Sequence, residues 1–436
     1  MTEALEFHFE GMLEHDEEIP EHKSLQHYLN SGALELAPDD ILTHATVQCT
    51  RTVEINYYFK IPVKTALILV FSLAFTLVSA SCVAQTRDSL DLKIAQMLLV
   101  GFRGMTLPEN DPFLREVKAG RVGSVILFDY DVPTKEFKRN IESPQQVRAL
   151  TAQLRKAATE SGNGLPLFIS IDQEGGKVNR LKPRYGFPAS VSQQYLGKLN
   201  NPDSTRFYAA KTAQTLAENG FNLNFAPSVD VNVNPDNPVI GKVERSFSAE
   251  PRVVAAQAAI IIEEHRKQGI ITTLKHFPGH GSSKADSHKG FVDVSDTWKP
   301  DEIKPYADLI AKGNVDMIMT AHIFNNRLDA DVPATLSKRI ITGILRDSLR
   351  YQGVIISDDM QMGAIADHYG LETALEKCIN AGVDIVCFGN NLQYDPEIIT
   401  KATSIIKRLV MEGTISGSRI DESYRRIVAL KQKMQH

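Results

Sequence analysis

The stretch SAEPRVVAAQAAIIIEEHRKQGIITTLKH, residues 248–276, holds the fold in miniature. Ser248 can cap a helix, Glu250 suits its first turn, and Gly269 stops it. A short β-branched run follows at Ile270–Leu274, and then two polar residues, Lys275 and His276. Continuous apolar runs of this length suit strands buried on both faces of a parallel sheet.

Outward from this stretch the same unit repeats. Similar runs occur at Met97–Phe102, Ser124–Phe128, Leu167–Ile171, Leu223–Ala226, Met317–Thr320, Val354–Ile356 and Ile385–Phe388. Ser204 can cap a helix running to Gly220, and Ser337 one that ends before Gly353. A last amphipathic helix is expected from about Asp421 to Met434, with Ile427, Leu430 and Met434 on one stripe. Eight βα units in about 350 residues predict an α/β fold, a (β/α)8 TIM barrel. Residues 85–436 are expected to form it as a single domain. An open doubly wound sheet is the alternative, but no Gly-rich GxGxxG turn follows the first strand.

Composition agrees with a globular protein. Of 436 residues, 43% are hydrophobic and 23% charged, which excludes collagen, coiled coil and wholesale disorder. The net charge is -5, but residues 1–62 hold 12 acidic residues against three basic ones. The remainder is therefore close to neutral, and no nucleic-acid footprint is present. The four cysteines, Cys49, Cys82, Cys378 and Cys387, have neither zinc spacing nor a disulfide framework. Cys378 and Cys387 lie in apolar segments and are expected to be buried as small hydrophobes.

Residues 63–84, VKTALILVFSLAFTLVSASCVA, read as a signal peptide: Lys64, an apolar run from Ala66 to Val78, then small residues. The run is short for a spanning helix, which needs about 20 residues. Translation is expected to begin at Val63, with residues 1–62 a disordered or mis-assigned acidic extension. Two cleavage readings stand. A signal-peptidase site precedes Gln85, whereas Ser-Ala-Ser-Cys82 is a poor lipobox that still makes Cys82 a candidate lipid anchor. Either way the protein is expected to be exported, to the periplasm or to the outer membrane of a bacterium. A monomer is expected.

In such a barrel, chemistry sits at the carboxyl ends of the strands. Reading just past each run gives Arg103, Asp129, Asp172, Asp230, Lys275 with His276, His322, Asp358 with Asp359, and Asn390. As a set these carboxylates and cations suit a ligand rich in hydroxyls. IDQEGGKVNR, residues 171–180, offers Asp172 and Arg180 around a tight turn at Gly175 and Gly176. Asp172 there could equally be a helix-capping acid. LKHFPGHGSSKADSHKG, residues 274–290, brings Lys275, His276, His280, Asp286 and His288 into one strand end and loop. Asp286 and His288 are two apart, so an extended backbone would point both the same way. A carboxylate beside an imidazole fixes its tautomer and supports proton transfer. The same His and Asp residues could hold zinc, but metal barrels of the amidohydrolase kind want HxH at the first strand, and Phe102-Arg103 offers none. No metal is expected. In GVIISDDMQM, residues 353–362, Asp358 and Asp359 end a strand together, a poor arrangement for packing. One is expected to act as nucleophile or base, the other to hold a neighbour. Arg245, in NPDNPVIGKVERSFS (residues 234–248), could be a pocket residue or a surface ion pair.

Together IDQEGG, NPVIG with RSFS, KHFPGHG with DSH, and SDDMQM resemble family 3 glycoside hydrolases, in the branch of β-N-acetylhexosaminidases. The likeness runs from about Asp91 to Leu430. It implies that Asp358 is the nucleophile and that His288, paired with Asp286, is the general acid/base on a mobile loop. It implies that Asp172, Arg180, Arg245, Lys275 and His276 bind the sugar, and that no cofactor is used. The expected partner is a carbohydrate ending in β-linked GlcNAc, such as a peptidoglycan fragment. A β-glucosidase or a glycosyl phosphorylase of the same family is the alternative, followed by an inactive sugar-binding barrel. Two departures stand out. Lys177 occupies a position where close relatives often carry Arg, and the export signal differs from cytoplasmic wall-recycling enzymes.

Overall fold

A computed structural model describes residues 40–49, 53–62 and 90–434. The chain divides into two units, Met1–Arg87 and Asp88–His436. In the first, Asp40–Cys49 and Val53–Pro62 form an antiparallel pair, with Cys49 opposite Val53. The signal-like segment 63–84 and its Cys82 lie outside the described residues.

The second unit is a closed barrel of eight parallel strands. We number them β1 (Leu98–Gly101), β2 (Ser124–Ile126), β3 (Phe168–Ile171), β4 (Leu223–Asn224), β5 (Ile271–Phe277), β6 (Met317–Thr320), β7 (Val354–Asp359) and β8 (Ile385–Phe388). Each pairs with the next in sequence. The ring closes where Val386 of β8 meets Leu98 of β1. All eight expected runs become strands, and closure excludes the open sheet. The boundaries differ in an informative way. β5 runs on through Lys275 and His276, and β7 through Asp358 and Asp359, so these polar residues belong to the strands themselves. Backbone pairing continues there because buried partners satisfy the charged side chains.

Helices pack outside the strands. Four of them, Pro112–Lys118, Pro144–Glu160, Pro202–Glu218 and Pro251–Lys267, begin with proline, whose missing N–H costs nothing in a first turn. Two expected caps are displaced by this. Asn201, rather than Ser204, caps the third helix and accepts from the Ser204 N–H (2.8 Å). Ser248 lies too far upstream of Pro251 to cap the fourth and instead accepts from the Glu250 N–H (3.0 Å). Ser337 does accept from the Ile340 N–H (3.0 Å), but the helix it opens, Arg339–Ser348, is wound with i→i+5 bonds. The chain ends in Ile398–Met411 and Gly417–Gln432, and Ile427 and Leu430 of the latter are buried. Cys378 and Cys387 are buried free thiols, as expected.

The face opposite the strands' carboxyl ends is tied by buried polar groups. Asp384, just before β8, accepts from Arg346 (2.6 Å), Arg419 (2.7 Å), Ser423 (2.9 Å) and Arg426 (3.1 Å). Lys431 is fully buried and donates to Gln96 Oε1 (2.6 Å) and the Gly123 carbonyl (2.7 Å). Neither partner is a carboxylate, and burial pushes the ammonium down to about 7.

Candidate active site

β3 supplies the first group. Gly175 and Gly176 follow it with φ of 96° and 59°, and a Cβ on either would strike Val191 or Ser192. This tight turn, closed by Glu174 and Gly175 N–H bonds to the Val178 carbonyl, fixes Asp172 and Glu174 below the barrel mouth. Lys275 of β5 is buried and bridges them, with Nζ 2.7 Å from Asp172 Oδ1 and 2.7 Å from Glu174 Oε1. Glu174 also takes a two-pronged contact from Arg245, Nε at 2.8 Å and Nη2 at 2.7 Å. Burial alone would raise the Glu174 carboxyl, but the two cations overcome it and hold it down at about 2. The charged groups thus support one another, leaving specific atoms uncommitted. Among the described residues one ammonium hydrogen of Lys275 is uncommitted, and Asp172 Oδ2 meets Arg180 Nη2 only at 3.9 Å. Arg180 Nε is buried without a partner. Donors and acceptors of this kind suit sugar hydroxyls.

His276 is locked between two groups. Its Nδ1 lies 2.7 Å from Asp230 Oδ2, and its Nε2 lies 2.9 Å from Arg245 Nη2. Arginine can only donate, so Nε2 holds a lone pair and Nδ1 carries the proton. Asp230 also accepts from the backbone N–H of His276 (3.2 Å) and His280 (2.7 Å), which anchors the start of the loop after β5. His280 itself turns inward to Ser283 (2.6 Å) and Ser287 (3.1 Å), and burial lowers it to about 4. It is a scaffold residue.

Asp286 and His288 do meet, but not through an extended backbone. The chain turns there, with the Lys289 N–H donating to the Asp286 carbonyl (3.0 Å). Asp286 Oδ1 accepts both the His288 N–H (3.0 Å) and Nδ1–H (2.8 Å), a local Asp turn that fixes the tautomer. Among the described residues Nε2 is thereby left without a hydrogen bond, and the side chain is 49% exposed. Burial opposes charge on His288, but the Asp286 bond and the Asp358 charge prevail and raise its pKa above the ordinary value.

The two carboxylates ending β7 diverge. Asp359 Oδ1 accepts from the N–H groups of Gln361 and Gly389, each at 3.0 Å, and so holds the turn onto β8. Burial and the Asp358 charge raise it to about 6. Asp358 accepts from the Asp359 N–H through Oδ1 (2.8 Å), and among the described residues its Oδ2 takes no hydrogen bond. Burial would raise Asp358 too, but the imidazoles of His322, His276 and His288 outweigh it, and its pKa falls below the usual carboxylate range. Asp358 is the carboxylate that stays ionised with a free oxygen.

Residues 89–430 match the family described as Glycosyl hydrolase family 3 N terminal domain. The chain belongs to glycosyl hydrolase family 3. This family 3 chain is 35% identical over 318 residues to Beta-hexosaminidase A of Pseudoalteromonas piscicida, a match covering 68% of this chain and 52% of that protein. It is 34% identical over 319 residues to a Beta-hexosaminidase of Xylella fastidiosa, covering 71% and 87%. Its fold is similar to that of a family 3 β-N-acetylglucosaminidase from Paenibacillus sp., with TM-score 0.71, 34% identity, and 79% of this chain and 62% of that one covered. It is also similar to a β-N-acetylhexosaminidase from Beutenbergia cavernae, with TM-score 0.70, 27% identity, and 79% and 98% covered. The family 3 chain therefore spans about half of one relative and nearly all of another.

All eight residues expected from sequence gather at the carboxyl end of the family 3 barrel. Among the described residues no group of three or more His, Cys, Asp or Glu side chains converges on a metal position. Lys177, the position where Arg was expected, points away to the Lys242 carbonyl (2.9 Å) and Glu244 (3.0 Å). Three residues gain roles that the sequence reading had not given them. Glu174 stands in the quoted IDQEGG motif, and its only sequence signal is its place beside the Gly pair. Asp230 was a strand end without a partner until β5 placed His276 against it. His322 Nε2 donates to the Asp359 carbonyl (2.9 Å), a contact from just past β6 to the end of β7 that no local pattern shows. Two strand-end residues leave the pocket: Arg103 pairs with Asp131 (2.7 Å), and Asp129 binds Lys182.

Proposed function

We propose that this protein is a retaining exo-β-N-acetylglucosaminidase acting on terminal β-linked GlcNAc. The observation that carries the reading is the pairing of Asp358, ionised with a free oxygen, and the Asp286–His288 turn, which leaves Nε2 of a half-exposed imidazole uncommitted. Support also comes from the hexosaminidase names of its relatives. Asp358 attacks the anomeric carbon as the glycosidic bond breaks, and His288 gives its Nε2 proton to the departing oxygen. His288 then takes a proton from water, which attacks the same carbon and releases Asp358. Asp172, Arg180 and Lys275 hold the sugar hydroxyls, with Arg245 and His276 positioned behind them. Peptidoglycan fragments are the proposed natural source of the GlcNAc.

A histidine acid/base also favours a second reading, a phosphorylase. A carboxylate would repel an incoming phosphate, and an imidazole does not. The test is turnover of aryl β-GlcNAc beside aryl β-glucoside, with and without phosphate. Preference for GlcNAc without need of phosphate supports the hydrolase. Dependence on phosphate, or equal use of glucoside, overturns it.

The location stands as a proposal drawn from residues 63–84: export after cleavage before Gln85, or anchoring through Cys82. Mass spectrometry of the native protein decides it. Peptides from residues 1–62 in the mature protein would overturn the proposed start at Val63.

A further inference from the structure

Phe291 lies three residues beyond His288. The backbone just after it is firmly held: the Phe324 N–H donates to the Val292 carbonyl (2.8 Å), and the Val294 N–H to the Phe324 carbonyl (2.9 Å). Val292 and Val294 are buried, yet the Phe291 side chain leaves the residue 50% exposed. Its ring packs 5.2 Å from Phe324, tilted by 41°, and 5.9 Å from His368, nearly edge-on at 70°. Two neighbours therefore fix the ring and leave part of it open to solvent.

The same segment is sewn to the short helix Gly363–Ala366, which follows β7. The Ser287 and His288 carbonyls accept from the N–H groups of Ala364 and Gly363, each at 3.3 Å. The open ring thus lies three residues from the acid/base, against His368 of the segment that follows β7. Two other exposed rings, Phe137 and Tyr394, are already covered. Arg184 lies 4.0 Å over Phe137, and Arg103 lies 4.1 Å over Tyr394. Among the described residues no cation covers Phe291.

We infer that Phe291 is the platform of an aglycone subsite that takes a hexopyranose ring. The inference rests on the glycosidase reading above. A proton passing from His288 Nε2 to the glycosidic oxygen requires the departing sugar to sit beside this loop. A pyranose ring presents an apolar C–H face that an aromatic ring can cover, while its hydroxyls stay at the edges toward water, Lys289 and His368. The open ring is therefore placed for a sugar aglycone.

The experiment compares two substrates on the full chain. Chitobiose, GlcNAc-β-1,4-GlcNAc, places a sugar in the subsite, whereas N-acetyl-β-glucosaminyl fluoride leaves a single atom. Phe291→Ala should lower the chitobiose-to-fluoride ratio of kcat/KM by about 3- to 10-fold, the reach of one aromatic contact, chiefly through KM. Phe291→Tyr should restore the ratio. An unchanged ratio in Phe291→Ala, whether both rates fall together or neither falls, overturns the subsite and leaves the glycosidase reading intact. Failure of the unaltered protein on both substrates overturns that reading, and the subsite with it.

Discussion

Asp358 and Asp359 are adjacent, chemically identical and unequal in charge. Three imidazoles face the first, and two backbone N–H groups bind the second. An amide oxygen can accept those two bonds as well as a carboxylate can. Asp359→Asn should therefore keep most activity, while Asp358→Asn should lose nearly all of it; steady-state rates on aryl β-GlcNAc check the contrast. His288→Ala should cost about 10²–10⁴ in rate, less than Asp358→Asn, because it removes proton transfer but spares the covalent step. The acid must be protonated, so kcat/KM falls as pH rises through the His288 pKa. That pKa is raised, so the alkaline limb lies above the ordinary histidine value. Asp286→Asn removes a cause of the rise and should move the alkaline limb to lower pH. A pH profile with the limb unmoved would break the assignment of Asp286.

At the scale of elements, the turn after β3 joins three parts of the barrel. Its Glu174 holds Arg245 from the loop after β4 and Lys275 from β5. Replacing it leaves two buried cations short of a partner. Glu174→Ala should cost about 3–5 kcal/mol, the usual penalty for breaking a buried pair from one side. Urea unfolding measures it, and a loss below 1 kcal/mol, the range of an exposed pair, would show the network to be solvated. This junction was hidden in sequence because β3, the β4 loop and β5 are far apart along the chain. The caps show the reverse error. Serines near helix starts looked sufficient, but proline at the first helical position set the boundary, and Asn201 took the role given to Ser204. The Asp286–His288 pairing was legible from spacing, whereas its geometry was a turn, because one carboxylate oxygen can gather two N–H groups locally.

For the whole molecule, closure depends on the base as well as the mouth. Lys431 carries the final helix into the barrel's underside without a counter-ion. Its folded pKa is pushed down to about 7, whereas an unfolded lysine titrates near about 10.4. Between those values the unfolded chain binds more protons, so this group makes stability rise with pH from about 7 toward 10. Lys431→Met should remove that part of the slope, as read from denaturant midpoints across the range. An identical slope in the variant would show that the ammonium keeps its charge in the fold.

Local patterns along the chain account for the barrel and for its polar rim. Eight β-branched runs between helices leave few ways to bury both strand faces, and polar residues after each run mark one rim. Those patterns are local, and hydrophobic burial enforces them everywhere along the chain. The tertiary structure alone decided which charges are neighbours. It set Asp230 against His276, Glu174 between Arg245 and Lys275, and three imidazoles around Asp358. Coulomb energies depend on distance through space. Only the closed ring brings those side chains close enough to make two adjacent aspartates behave differently.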